Sequence, residues 1–179
     1  MRSRYKIVVS GNTCFVTSSA VKWINIFTSE KYFKILTEAI KYNQQNKDLE
    51  VFAYVIMKNH FHLLCRSEKL KNIISSIKSY SAKGIIQQLK DDKNVKTLKV
   101  FEENKLPFKE DRQYQIWQEG FHPEEIVSEK MYYQKLEYIH SNPVKAEYVD
   151  DILKWEYSSA KDYIEGKEGL IKLDLNLYS

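Results

Sequence analysis

The feature that most restricts the fold is a pair of short apolar runs, Val51 to Met57 and Phe61 to Cys65. Val, Phe, Tyr and Ile favour the pleated backbone of a buried strand. Only Lys58-Asn59 and His60 separate the runs, so they predict two strands folded back as a hairpin. A hairpin cannot bury itself and needs helices against it. Three segments supply them. Glu30 to Asn46 places Phe33, Leu36 and Ile40 at helical spacing, with Ser29 as a plausible N-cap. Leu70 to Leu89 gives the clearest apolar stripe, Leu70, Ile73, Ile74, Ile77, Ile85, Ile86 and Leu89. Ser128 to Ser141 reads as a third helix, with Ser128 as N-cap and Glu129 in its first turn, ending before Pro143.

The remaining segments complete the order. Cys14 to Ser18 and Gln113 to Gln118 read as strands, and Trp155 to Ile164 as a short closing helix. Asp91 to Arg112 is charged and broken by Pro107, so it reads as a loop or flexible insertion. The tail from about residue 165 reads as peripheral. Strand, helix, strand, strand, helix, strand, helix is the order of an α+β fold of the ferredoxin-like kind, an antiparallel sheet with helices packed on it. With 179 residues and 43% hydrophobic content, residues 1–179 are expected to form one domain.

No uncharged apolar run is long enough to span a membrane, and Met1 to Ser10 lacks the apolar core of a secretory signal. Cys14 and Cys65 have neither metal-type spacing nor a disulfide framework, so a reducing, cytoplasmic setting is the simplest reading. The net charge of +4 is unevenly spread: residues 58–99 hold ten basic and three acidic side chains, residues 100–179 ten basic and seventeen acidic. A basic middle suits a polyanion such as nucleic acid, although a solvated lysine face has the same composition. Lys71, Lys78 and Lys83, on the long helix, are candidate phosphate contacts. The thirteen tyrosines are mostly core material, with some free to stack on unpaired bases.

Two short patterns carry chemistry. In Asn59-His60-Phe61-His62, residues two apart on a strand face the same way, so His60 and His62 project together and can share a divalent metal. The pair alone fits two packed or surface histidines equally well. In Tyr138-Ile139-His140-Ser141-Asn142-Pro143, the spacing puts Gln134, Tyr138 and Asn142 on one helix face, beside the stripe of Met131, Tyr132, Leu136 and Ile139. Tyr138 can then reach the sheet, or simply sit at the boundary with its hydroxyl in water.

Taken together, these blocks resemble the REP-associated tyrosine transposases, within the single-tyrosine HUH transposases of small insertion sequences. The resemblance runs through Ala53 to Leu64 around His60 and His62, Trp117 to His122, Tyr138 to Ala146, and Trp155 to Ala160, in the family's order over roughly residues 11 to 164. Four ordered blocks are more specific than any one. Two positions depart from the pattern: Lys58 stands where proline is usual, and Glu147 where glycine is usual.

The resemblance implies cleavage of single-stranded DNA near hairpins. Tyr138 would attack the phosphate to leave a 5′-phosphotyrosine and a free 3′-hydroxyl, which later rejoins strands. It implies a metal held by His60, His62 and Asn142, one helical turn past the tyrosine. Magnesium or manganese is expected, and no nucleotide cofactor, since one phosphodiester is exchanged for another. A neutral phenol, with a reference pKa of about 10, is a weak nucleophile without such help. The repeat-associated branch suggests a monomer with Tyr138 acting in its own subunit, a homodimer being the other form in the wider family. Two rival readings remain at this point: a catalytically silent hairpin-DNA-binding domain, and an unrelated His-x-His metalloenzyme. The second would need a third ligand at a recognisable spacing.

Overall fold

The computed structural model describes residues 13–175. The reading of Met1 to Ser10, and both ends of the 1–179 domain, lie outside them. Four antiparallel strands form one sheet in the order β2-β3-β1-β4: β1 is Cys14–Ser19, β2 Glu50–Ile56, β3 His60–Arg66 and β4 Glu124–Glu125. This antiparallel sheet with helices packed on it is the ferredoxin-like fold class expected from the sequence. Between them run α1 (Glu30–Asn46), α2 (Leu70–Asp91) and α3 (Val95–Glu103), followed after β4 by α4 (Glu129–Lys145) and α5 (Ala160–Glu165).

Both sheet faces are covered, which explains why β2 is apolar throughout rather than alternating. On one face Val16, Tyr54, Ile56, Phe61, Leu63 and Cys65 pack with the apolar stripes of α1 and α2. On the other, Phe15, Ala53, Val55 and Leu64 pack with Tyr132, Leu136 and Ile139 of α4. The β2–β3 register shifts between Val51 and Ala53, so Phe52 and Ala53 lie in the same, α4-side cluster. Strict alternation along β3 then gives Phe61 to the α1/α2 layer and His62 to the α4 side.

Several sequence expectations need correction. The 91–112 segment is not a loop throughout, because α3 lies within it. Leu98 and Phe101 are buried, and Asn94 accepts from the Thr97 amide to cap the helix. Two buried side chains among many lysines left little periodic signal. Gln113 to Gln118 forms no strand, only a bridge between Trp117 and Ala20, and the fourth strand is the two-residue β4. The closing helix starts at Ala160 rather than Trp155.

The tail is not peripheral. Ile171 is fully buried, the Asp174 amide donates to the Val51 carbonyl, and the Asp174 carboxylate accepts from the Val51 amide. With Ser158 bridging Val55, and Ser159 bonded to the Tyr54 backbone, these contacts cover the outer edge of β2. An uncovered edge would offer free amides and carbonyls to another chain. Cys14 and Cys65 are cross-strand neighbours that form no disulfide with each other.

Helix α4 also runs past its expected stop. Ser128 caps it as predicted, accepting from the Met131 amide at 3.2 Å, but Pro143 lies inside the helix. Proline at 143 removes one amide near the end, where little of the helix remains to be disrupted. The helix closes by a Schellman turn, in which the Glu147 amide donates to Val144 at 2.9 Å and the Tyr148 amide to Pro143 at 3.0 Å. Glu147 takes the left-handed conformation this turn requires, φ 57°. That backbone demand explains the glycine usual at this position. The extension keeps Asn142 helical, one turn beyond Tyr138.

Candidate active site

The site lies where the turn end of the β2–β3 hairpin meets α4. The β1–β3 register sets Thr17 opposite His62 and Ser19 opposite His60. Thr17 Oγ1 and His62 Nδ1 share a hydrogen bond of 2.8 Å, and Asn59 Oδ1 and His60 Nδ1 one of 2.6 Å. Each ring is therefore held by one nitrogen, leaving its Nε2 for something else. The His62 Nε2 is buried and has no hydrogen-bond partner among the described residues. A buried polar atom without a partner is costly and usually marks a functional role.

Four rings form a row. The Tyr138 ring sits edge-on to His62 at 5.2 Å, His62 to His60 at 4.8 Å, and His60 to Trp23 at 5.6 Å. Phe15 stacks on His62 at 5.1 Å and meets Tyr138 edge-on at 5.8 Å. Tyr138 remains 42% exposed, so the residue is accessible to a large substrate. Lys145 lies over the Tyr138 ring at 5.8 Å and Lys135 over Phe15 at 4.6 Å. Burial lowers the His60 pKa to about 4. Burial, then the neighbouring His60 and Lys135 charges, lowers that of His62 to about 3. Both imidazoles are thus neutral at physiological pH, the form that binds metals.

Asn142 lies on the Tyr138 side of α4, and its Nδ2 is also buried without a partner among the described residues. A half-turn of the amide exchanges nitrogen for oxygen, so the position can present a ligand. Two imidazoles and an amide are a sparse donor set. Among the described residues there is no cluster of three or more His, Cys, Asp and Glu that could hold a metal. The donors present fit an ion that keeps several positions for water and phosphate.

The other named residues fall elsewhere. Lys71 and Lys83 are exposed on α2, whose apolar stripe packs on the opposite face of the sheet. Lys78 is half-buried and donates to the Gln118 and Gly120 carbonyls at 2.7 and 3.4 Å. None of the three joins the site. His122 is exposed, and His140 is buried against Ser159, with Nε2 to Oγ 3.0 Å. Among the described residues, Tyr80, Tyr132 and Tyr148 make no ring contact with either site histidine. Sequence reasoning missed Thr17, Asn59, Phe15, Trp23, Lys135 and Lys145. Asn59 and Lys135 could have been found from adjacency and helical spacing, but Thr17 and Phe15 depend on a register no local pattern reveals.

No family model matches the chain. A Haemophilus influenzae protein provisionally named a REP-associated tyrosine transposase is 28% identical over 128 residues, covering 72% of this chain and 68% of that protein. The structure of a REP-associated tyrosine transposase bound to a REP hairpin superposes with a TM-score of 0.63 at 20% identity, covering 95% of this chain and 90% of that one. No helix among the described residues is long and apolar enough to cross a membrane. Over 72% of its length the chain is similar in sequence to a protein carrying the REP-associated tyrosine transposase name, and over 95% of its length it is similar in fold to the structure of one.

Proposed function

We propose that this protein cleaves and rejoins single-stranded DNA next to hairpins through a covalent tyrosine intermediate, as a transposase or a mobiliser of repeat elements. The observation that carries the reading is Tyr138 lying edge-on to His62, whose buried Nε2 has no hydrogen-bond partner among the described residues. An exposed tyrosine edge-on to a buried neutral imidazole suits phosphoryl transfer to a polymer better than small-molecule turnover.

The Tyr138 oxygen attacks the scissile phosphorus. The bond to phosphorus forms as the bond from phosphorus to the 3′-oxygen breaks; the phenol gives its proton to water, and the departing 3′-oxygen gains one from water. Strand joining is the reverse exchange with a new 3′-hydroxyl. His60, His62 and Asn142 would hold magnesium or manganese. When bound, such an ion neutralises phosphate charge and eases departure of the leaving oxygen. With Nδ1–H of His62 donating to Thr17, its Nε2 lone pair points free, and Asn59 does the same for His60. Lys145 adds positive charge where the phosphodiester would lie, whereas the Lys135 charge beside Phe15 is paired with Glu124. No step calls for a nucleotide cofactor. One chain supplies both Tyr138 and the histidines, so a monomer suffices, and light scattering of the purified protein would read one chain mass.

The test is a denaturing gel of the protein with labelled single-stranded hairpin oligonucleotides from its own genomic neighbourhood, with manganese. A protein–DNA band that disappears with chelator and in Tyr138→Phe supports the reading. A band surviving Tyr138→Phe names another nucleophile. Metal-independent binding with no adduct on any hairpin would leave a silent DNA-binding domain.

A further inference from the structure

Trp23 has no part in the chemistry above, yet it is placed with unusual care. It is 55% exposed, although tryptophan gains more than any other side chain from burial. Lys22 and Trp23 are consecutive residues at φ 56° and 54°, the left-handed region that L side chains adopt only against steric cost. The surroundings enforce it: the Trp23 amide donates to Ala20 at 3.0 Å, the Val21 amide to Ile116 at 2.8 Å, and Asn59 Nδ2 to the Trp23 carbonyl at 3.2 Å. Asn59 is also the residue that holds His60. Strain kept up by neighbours beside a reactive centre points to use.

Among the exposed aromatic side chains of the described residues, only Trp23 and Tyr138 make ring contacts with the site histidines, and they do so from opposite ends of the row. In phosphoryl transfer the attacking and leaving oxygens lie in line across phosphorus. With the nucleophile at the His62 end, the leaving 3′-oxygen departs towards His60 and Trp23. An exposed indole there is a platform for an unpaired base, and Lys22 beside it is an exposed cation for the adjoining phosphate.

We infer that Trp23 stacks on the base of the nucleotide immediately 5′ of the cut, holding the strand that carries the freed 3′-hydroxyl. The inference rests on the proposed tyrosine chemistry for its choice of nucleotide. Held there, the 3′ end stays in place for rejoining instead of diffusing away.

The experiment uses the full chain carrying Tyr138→Phe, so that binding is read without cleavage, and hairpin oligonucleotides with 2-aminopurine stepped through each unpaired position. The wild-type adduct assay locates the cut. Quenching should be strongest at the nucleotide 5′ of the cut, be lost in Trp23→Ala and persist in Trp23→Phe. Removing that base should weaken binding about tenfold, and weaken Trp23→Ala no further. Quenching unaffected by Trp23→Ala, or losses from the abasic site and Trp23→Ala that add independently, would overturn the inference. A merely structural role for Trp23 would give the additive result, since loss of a support for His60 does not depend on one base. The two readings fail separately. An intact adduct with no Trp23 dependence removes only the stacking site. Trp23-dependent quenching at one unpaired base without any adduct removes the chemistry and keeps the platform.

Discussion

The molecule buries two histidines in its α4-side layer to nearly the same depth, and treats them in opposite ways. His62 is 4% exposed and His140 is 6% exposed, and burial depresses both pKa values, to about 3 and about 4. His140 sits between α4 and the closing segment, bonded to Ser159, which itself is tied to the Tyr54 backbone, with Tyr163 edge-on at 5.2 Å. His62 is held through Nδ1 by Thr17 and keeps a buried Nε2 with no hydrogen-bond partner among the described residues. Depth of burial therefore does not distinguish His140 from the histidine we propose acts in catalysis. What separates them is whether the polar atoms are satisfied.

The sharpest break in that comparison is His62→Ala. It should remove metal-dependent adduct formation to below detection, a loss of at least about a thousandfold, while the protein stays folded by circular dichroism. If the adduct survived at near wild-type yield, the orphan nitrogen would have no role and the contrast with His140 would be empty. His140→Ala should do the reverse. Deleting the ring leaves a cavity beside Tyr163 and a hydroxyl without its ring partner, costing about 2–4 kcal/mol in urea unfolding. The folded fraction should still form the metal-dependent adduct.

A smaller effect compares the two partners of the rings. Thr17→Val keeps shape but takes away the oxygen that fixes the His62 tautomer, so affinity for manganese should fall about 10–100-fold by titration calorimetry. Ser159→Ala should leave that affinity unchanged and lower only the melting temperature, because its bonds run to backbone and to His140. Equal effects on metal affinity would mean that α4 moves as a unit and that the two histidines are not independent.

How much of this was legible in the sequence follows from the range of each interaction. The hairpin, the three long helices and the Ser128 cap rest on patterns within a few residues, and each is present. His60 and His62 share a face because strand geometry demands it, and Tyr138 and Asn142 share one because helix geometry does. The pairing of Thr17 with His62, the burial of Ile171 and the covering of β2 by Ser158 and Asp174 link residues more than 40 positions apart, and no local period encodes them. Helix α3 escaped because only Leu98 and Phe101 anchor it. Pro143 misled because a rule about helix interiors was applied one turn from a helix end.

The smallest expected effect tests whether scaffold and site separate on α4 itself, the helix that carries both Tyr138 and His140. Glu147 closes this helix in the left-handed conformation, and its side chain is exposed. Glycine reaches that conformation without the clash between Cβ and backbone, and the Schellman bonds from Glu147 and Tyr148 use only main-chain atoms. Glycine also adds freedom to the unfolded chain, which takes back part of the gain. Glu147→Gly should therefore stabilise the fold by about 0.5–1 kcal/mol, raising the melting temperature by roughly 1–4 °C for a chain of this size. Adduct yield should not change, since nothing in the ring row touches residue 147. A changed yield would mean that the helix end sets the position of Asn142 and Tyr138, making the C-terminal turn of α4 part of the site rather than its support.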